Sequence, residues 1–434
     1  MSRWHSAAVL PLLAALFATA LPASADTVIV RAGRLLDVEQ GRYLQDQAIR
    51  IENGRVAAIA PYAAGAAGDM PMIDWSAYTV LPGLIDLHTH LLGDISSSNI
   101  AAPLMSSEAR DTLLGVVHAR ATLAAGFTTV RDMGVYRAFS DVALRDAINE
   151  GQVVGPRMFV AGAYITVSHG GGEVTGMAPD VGIPAAMRRG VANSADEVRQ
   201  RVREILGNGA DFIKVIATGA VFTAGTVPSA PEFTEAELRA AVEEAANQGT
   251  FVATHAHSAE GIKRAVRAGV RSVEHASYLD DEGIEMMRRN GTWLVADIYN
   301  GDYTEEVGGR NGWSAEILRK NRETTDIQRE AFRKAVKAGV HIAFGTDAGI
   351  YPHGDNAKQF AYMVRYGMTP LGAIRAATID AARCLGHERD IGSIAPGKYA
   401  DMIAVTGDPL ADVETLRKIA GVIKEGRLVT GGNP

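Results

Sequence analysis

Between residues 81 and 386 the chain alternates short apolar runs with longer amphipathic stretches, and this constrains its fold more than any other feature. Eight strand-like runs recur: Thr79–His88, Thr128–Asp132, Met158–Ala163, Phe212–Ala217, Phe251–His255, Ser272–His275, Trp293–Ala296 and His341–Gly345. Helical stretches separate them, and two open with a capping-box pattern, Ser194 with Glu197 and Thr234 with Glu237. Strands that alternate with helices lie parallel, because each crossover returns the chain to the same edge. Eight such units over some 300 residues predict an α/β fold, a (β/α)8 TIM barrel over 81–394, rather than an open sheet.

Both ends of the chain read differently. Val28-Ile29-Val30, Ala48–Ile51 and Val56–Ile59 are strand-like, and Glu52-Asn53-Gly54-Arg55 is a hairpin turn, since both central positions need positive φ. Ala400–Val405 and Gly421–Val429 repeat that texture near the C-terminus. Residues 26–80 and 395–434 are therefore predicted to form one small β-sandwich domain assembled from both termini. Residues 1–25 read as a cleavable signal peptide: Arg3, an apolar run from Ala7 to Leu21, then Pro22 and Ala23-Ser24-Ala25. That run is short of the ~20 residues that span a bilayer. The expected mature protein begins near Asp26, exported to a periplasm or secreted, and free of the membrane once cleaved.

Composition excludes other classes. A net charge of −7 leaves no basic surplus for gripping phosphates, so nucleic acid is not an expected partner. The single cysteine, Cys384, permits no intrachain disulfide and no cysteine-built metal knuckle. Any metal must be held by histidines and carboxylates.

Those residue types fall at strand ends. In Leu81-Pro82-Gly83-Leu84-Ile85-Asp86-Leu87-His88-Thr89-His90, the alternation of a strand points His88 and His90 to one side. They end the first barrel strand, at the face where barrel enzymes build their sites. His255 ends the fifth strand, His275 the sixth, and Asp347 follows the eighth. Lys214 sits inside the otherwise apolar fourth, where a buried charge is costly unless it is removed or paired.

This pattern resembles the amidohydrolase superfamily across essentially the whole mature chain, in the Pro-Gly-Leu-Ile-Asp-x-His-x-His version of its first-strand motif at Pro82 to His90. The nearest subgroup is that of the prolidase-like and imidazolonepropionase-related hydrolases, which includes enzymes cleaving dipeptides, N-acyl amino acids and ochratoxin A. The resemblance implies two divalent metal ions, zinc foremost, and carbamylation of Lys214 by carbon dioxide to give a bridging carboxylate. It assigns His88, His90 and Asp347 to the more buried ion and His255 and His275 to the second. Two cations sharing a water bring its pKa toward neutrality, and Asp347 is then both ligand and general base, passing a proton to the leaving amine. A homo-oligomer is also implied.

His257, two residues past His255, is expected to bond the substrate carbonyl or the oxyanion. Some prolidase-like relatives carry tyrosine there, which argues against strict proline specificity. His169, in the glycine-rich loop Ser168–Gly172, is expected to contact an anionic substrate group. His118, His341 and His387 read as structural, nothing requires His353, and Tyr278, Tyr299 and Tyr351 stay unassigned. The expected partner is a small-molecule amide, a dipeptide or N-acyl amino acid. Opening of a cyclic amide, as by imidazolonepropionase, or lactone or organophosphate hydrolysis would use the same site. A non-catalytic scaffold would not need six converging polar groups.

Overall fold

The computed structural model describes residues 27–65, 67–93 and 99–431. The expected signal peptide lies outside the described residues. Among those described, no helix is long and apolar enough to cross a membrane.

Strands from both ends of the chain meet in one sheet. From the N-terminal side come β1 (Thr27–Asp37), β2 (Arg42–Glu52), β3 (Arg55–Pro61) and β4 (Met72–Pro82). The central strands, taken up below, are β5 (Leu84–Thr89), β6 (Phe127–Asp132), β7 (Arg157–Val160), β8 (Tyr164–Ile165), β9 (Ile213–Ile216), β10 (Val252–Ala256), β11 (Ser272–His275) and β12 (Trp293–Val295). β13 (Met402–Val405), β14 (Ile419–Lys424) and β15 (Arg427–Thr430) follow. The seven terminal strands are ordered β15-β14-β13-β4-β1-β2-β3. The expected sandwich is thus found as one hydrogen-bonded sheet. The strands from the two chain ends join at the antiparallel β4–β13 pair, from Thr79↔Val405 to Pro82↔Met402. β1 lies parallel to β4 from Ile29↔Met72 to Leu35↔Val80, with a shift between Ala32 and Arg34; no local pattern announces either pairing.

The hairpin turn forms as expected. Asn53 and Gly54 have φ of 51° and 75°, and Glu52 pairs with Arg55. Glu425 and Gly426 repeat this geometry between β14 and β15, with φ of 49° and 75°. The sheet's own core gathers Val30, Ile49, Trp75, Met402 and Ile423, all buried.

The central strands form two parallel arcs, β5-β6-β7 and β12-β11-β10-β9-β8. The predicted first strand is broken at Gly83, so that Thr79–Pro82 belongs to the terminal sheet and Leu84–Thr89 to an arc. The predicted eighth strand, His341–Gly345, forms no continuous ladder. Isolated parallel bridges join Ile342 to Leu294 and Ala348 to Thr89, and Leu87 donates its N–H to the carbonyl of Phe344 at 2.9 Å. The segment therefore bonds to both arcs. Gly345 leaves no room for a side chain: a Cβ there would stand 2.3 Å from Val295 Cγ1 and 3.0 Å from His88 Cβ. At the opposite seam, Asp211 donates its N–H to the carbonyl of Val160 at 2.9 Å.

Helices cover the arcs. Thr234 completes a reciprocal capping box with Glu237 on helix Glu235–Asn247. Ser194 caps Ala195–Gly207 through the Glu197 N–H, but the Glu197 carboxylate accepts from the N–H of Asn193 instead, one residue short of the expected partner.

Candidate active site

The C-terminal ends of the arc strands open into a cleft lined by His88, His90, Lys214, His255, His257, His275 and Asp347. Lys214 comes from within β9, and the others from strand ends or the segments just after them; in the His88/His90 and His255/His257 pairs the alternation of a strand sets both rings on one side. Ring centroids lie 4.4 Å apart for His255 and His275 and 4.8 Å apart for His88 and His275. The Nε2 atoms of His88 and His90 stand 3.5 and 3.3 Å from Asp347 Oδ1.

The backbone is strained here. His275, Ala276 and Asp347 have φ of 65°, 53° and 57°. Left-handed conformations cost roughly 1–2 kcal/mol each in side chains other than glycine, and such outliers concentrate where function requires them.

Four of the rings, His88, His90, His257 and His275, are held from behind. His88 Nδ1 is 3.0 Å from Glu274 Oε2, and Glu274 Oε1 accepts from Arg131 at 2.8 Å and from Ser272 at 2.5 Å. Glu274 is fully buried; burial pushes its carboxyl up, but Arg131 and His88 outweigh that and bring it to about 2. His90 Nδ1 donates to the carbonyl of Gly134 at 2.9 Å, and His257 Nδ1 lies 2.8 Å from Ser277 Oγ. These contacts at Nδ1 leave the Nε2 atoms of His88 and His90 as the lone-pair donors.

Two observations test whether the site suits a metal. His255 Nε2 is buried without a hydrogen-bond partner, though a buried imidazole nitrogen left unpaired is costly. The donor atoms of His88, His90 and Asp347 lie within 4.8 Å of one another, as do those of His275, Asp297 and Asp347. Lys214 pairs with Ala253, two positions below the level at which His255 faces Ile216. That is about 6.6 Å further down the strand, a gap suited to a long side chain. Burial pushes its ammonium down to about 8, and the nearby Arg131 adds to the shift. The residues fit a site for divalent cations.

The structure also corrects and extends the sequence reading. It does not bring His169 into the cleft: its side chain is exposed, its φ is 60°, and its N–H bonds the carboxylate of Glu173, which does line the cleft. The glycine-rich turn there points the histidine outward. His353, left unassigned, bonds the carbonyl of His90 through Nε2 at 3.1 Å and stacks on His118. Tyr136, Tyr164 and Phe222 supply aromatic wall, whereas Tyr278, Tyr299 and Tyr351 are not among the lining residues. Asp297, Asn300 and Gln328 reach the cleft unforeseen. The one available signal was an aspartate directly after the seventh strand, next to Ala296.

A model of the amidohydrolase family matches residues 79–429. Ochratoxinase of Aspergillus niger is 34% identical over 436 aligned positions, covering 94% of this chain and 87% of that protein. Imidazolonepropionase of Rhizorhabdus wittichii is 27% identical, covering 83% of this chain and 88% of that protein. A solved Xaa-Pro dipeptidase with methionine bound in its active site superimposes with a TM-score of 0.89 and 38% identity, over 93% of this chain and 100% of the other. The chain belongs to the amidohydrolase family, in the subgroup of these relatives. It is a hydrolase of amide bonds.

Proposed function

We propose that this chain is a binuclear metal-dependent amidohydrolase that cleaves the amide bond of dipeptides or N-acyl amino acids and releases a free amino acid. The observation that carries the reading is the convergence of the donor atoms of His88, His90 and Asp347, and of His275, Asp297 and Asp347, each set within 4.8 Å, in a cleft that His255 and Lys214 also line. In this reading His88, His90 and Asp347 would hold one ion and His255 and His275 the other, with the carbamate of Lys214 as a ligand common to both. When bound, the ions, zinc in the first instance, supply Lewis acidity toward the scissile carbonyl and lower the pKa of a shared water.

The chain's own residues do the rest. Asp347, whose carboxylate stands beside His88 and His90, takes a proton from the attacking water and passes it to the leaving amine. With the Ser277 hydroxyl donating to Nδ1 of His257, Nε2–H is free to donate to the carbonyl oxygen as negative charge builds on it. Apolar walls from Leu92, Met133, Val135, Phe222 and Ile317 receive the acyl side and exclude water. The relatives named for ochratoxin and Xaa-Pro substrates support an amino acid leaving group, and ochratoxin A belongs on the first panel. The two parallel arcs, each bonded to His341–Gly345, support closure into a (β/α)8 barrel over 81–394, with 26–80 and 395–434 as the second domain. Export, by cleavage near Asp26, and assembly into a homo-oligomer complete the reading.

The test is mass-spectrometric detection of amino acid release by zinc-loaded protein from dipeptides with varied C-terminal residues, N-acyl amino acids including ochratoxin A, and cyclic amides. Release from linear members is expected, and the preferred leaving residue defines the pocket. Turnover of a ring with silence on every linear member would overturn the reading in favour of an imidazolonepropionase-type reaction.

A further inference from the structure

The proposed metal-site residues come from strands one, four, five, six and eight, and the seventh, β12, carries none of them. Yet Asp297, two residues past β12, is buried and lines the same cleft. Every hydrogen bond it makes is aimed at organising the site. Its Oδ1 accepts from His275 Nδ1 at 2.8 Å and from Gln328 Nε2 at 2.8 Å. Its Oδ2 accepts from Asn300 Nδ2 at 3.1 Å, and that same amide nitrogen lies 3.4 Å from Asp347 Oδ2. Gln328, from helix Ala315–Ala338, also donates to the backbone carbonyl of His275 at 3.1 Å.

These contacts have two consequences. The carboxylate at Nδ1 fixes the proton of His275 there and leaves its Nε2 lone pair for the cleft, where the rings of His255 and His257 stand 4.4 and 5.1 Å away. Gln328 meanwhile ties down both the side-chain partner of His275 and its left-handed backbone, at φ 65°. Asn300 spans the carboxylates of Asp297 and Asp347, so one amide sets the orientation of a group on each side of the site.

We propose that Asp297 is a positioning residue: with Gln328 and Asn300 it presents His275 to the second metal ion and ties that ion's position to Asp347. The proposal rests on the binuclear reading. It does not make Asp297 a ligand, although its donor atom lies within 4.8 Å of those of His275 and Asp347, and the two roles separate by experiment. An asparagine at 297 still accepts a hydrogen bond from His275 but is a poor metal ligand.

Zinc-loaded wild-type, Asp297→Asn and Gln328→Leu proteins are dialysed against graded chelator, and zinc per chain is measured by mass spectrometry, with circular dichroism to verify folding. Wild type is expected to hold two ions. Both variants should also hold two at saturating zinc, but release one of them at chelator strengths corresponding to about 10- to 100-fold weaker affinity, with Gln328→Leu the milder. Should Asp297→Asn fail to fold, Gln328→Leu decides by the same loss. Wild-type retention in the folded variants would overturn the proposal. A single ion in Asp297→Asn at saturating zinc would overturn it in favour of direct ligation. Fewer than two ions in wild type would instead overturn the binuclear reading on which it rests.

Discussion

The terminal sheet and the cleft at the strand ends are built from the same chain by opposite rules. In the sheet, apolar side chains such as Val30, Ile49 and Ile423 are buried together, and the positive φ angles of Asn53, Gly54, Glu425 and Gly426 fall in turns that need them. In the cleft, histidines, a lysine and carboxylates are buried instead, and left-handed backbone falls on His275, Ala276 and Asp347. A region optimised for stability keeps local preference and tertiary packing in agreement. One optimised for chemistry holds groups where neither favours them, and surrounding contacts offset the cost. Arg131 shows how deep that support goes: fully buried, it bonds Ser272, Glu274 and the carbonyl of Leu87 beneath the site.

Substitutions in the two regions should therefore differ in kind. The largest effect is expected from Lys214→Ala, which removes the bridging group: activity should fall about a thousandfold or more, equivalent to roughly 4 kcal/mol or more of transition-state stabilisation. Zinc per chain should fall with it, and the melting temperature by no more than the lost zinc binding accounts for. A variant retaining wild-type rate and metal would erase the distinction between the regions. Glu274→Ala should cost stability as well as function, about 3–5 kcal/mol in urea unfolding, because it strands the buried guanidinium of Arg131. In the sheet, Gly421→Ala would place a Cβ 2.5 Å from Trp75 Cζ2. Overpacking of this type costs about 1–3 kcal/mol, and the rate per folded molecule should be unchanged.

Smaller effects sharpen the same contrast. Thr234→Ala removes the reciprocal cap of helix Glu235–Asn247 and should lower stability by about 1 kcal/mol without altering KM. The thiol of Cys384 is buried, and burial pushes it up to about 12. It should stay protonated and resist iodoacetamide at roughly pH 9, where a free thiol is substantially ionised, and react only once the chain is unfolded. Labelling of the native protein at the rate of the unfolded chain would show that this part of the core opens readily.

Legibility in the sequence followed the range of the interaction. The Asn53-Gly54 turn, the Thr234–Glu237 cap and the common facing of His88 and His90 depend on residues at most a few positions apart, and each was readable. The strand ends carrying Lys214, His255, His275 and Asp347 were readable because each closes or interrupts an apolar run. The exposed placement of His169 is not readable from the sequence, since a glycine-rich loop fits several conformations and the fold fixes this one through the bond from the His169 N–H to Glu173. The eighth segment makes only isolated bridges although Phe344 and its neighbours are apolar enough for a ladder, because pairing depends on the position of strands distant in the chain.

The sequence by itself determined the alternation of strand and helix, the turns and caps, and the residue types available for binding metal, because periodicity and short-range hydrogen bonding are local properties. Tertiary structure alone decided that β1 lies parallel to β4, that Arg131 reaches Glu274 across 143 positions, and that Asp297, Asn300 and Gln328 converge behind His275. Contacts between distant segments depend on where the whole chain packs, and no spacing in the sequence encodes that distance.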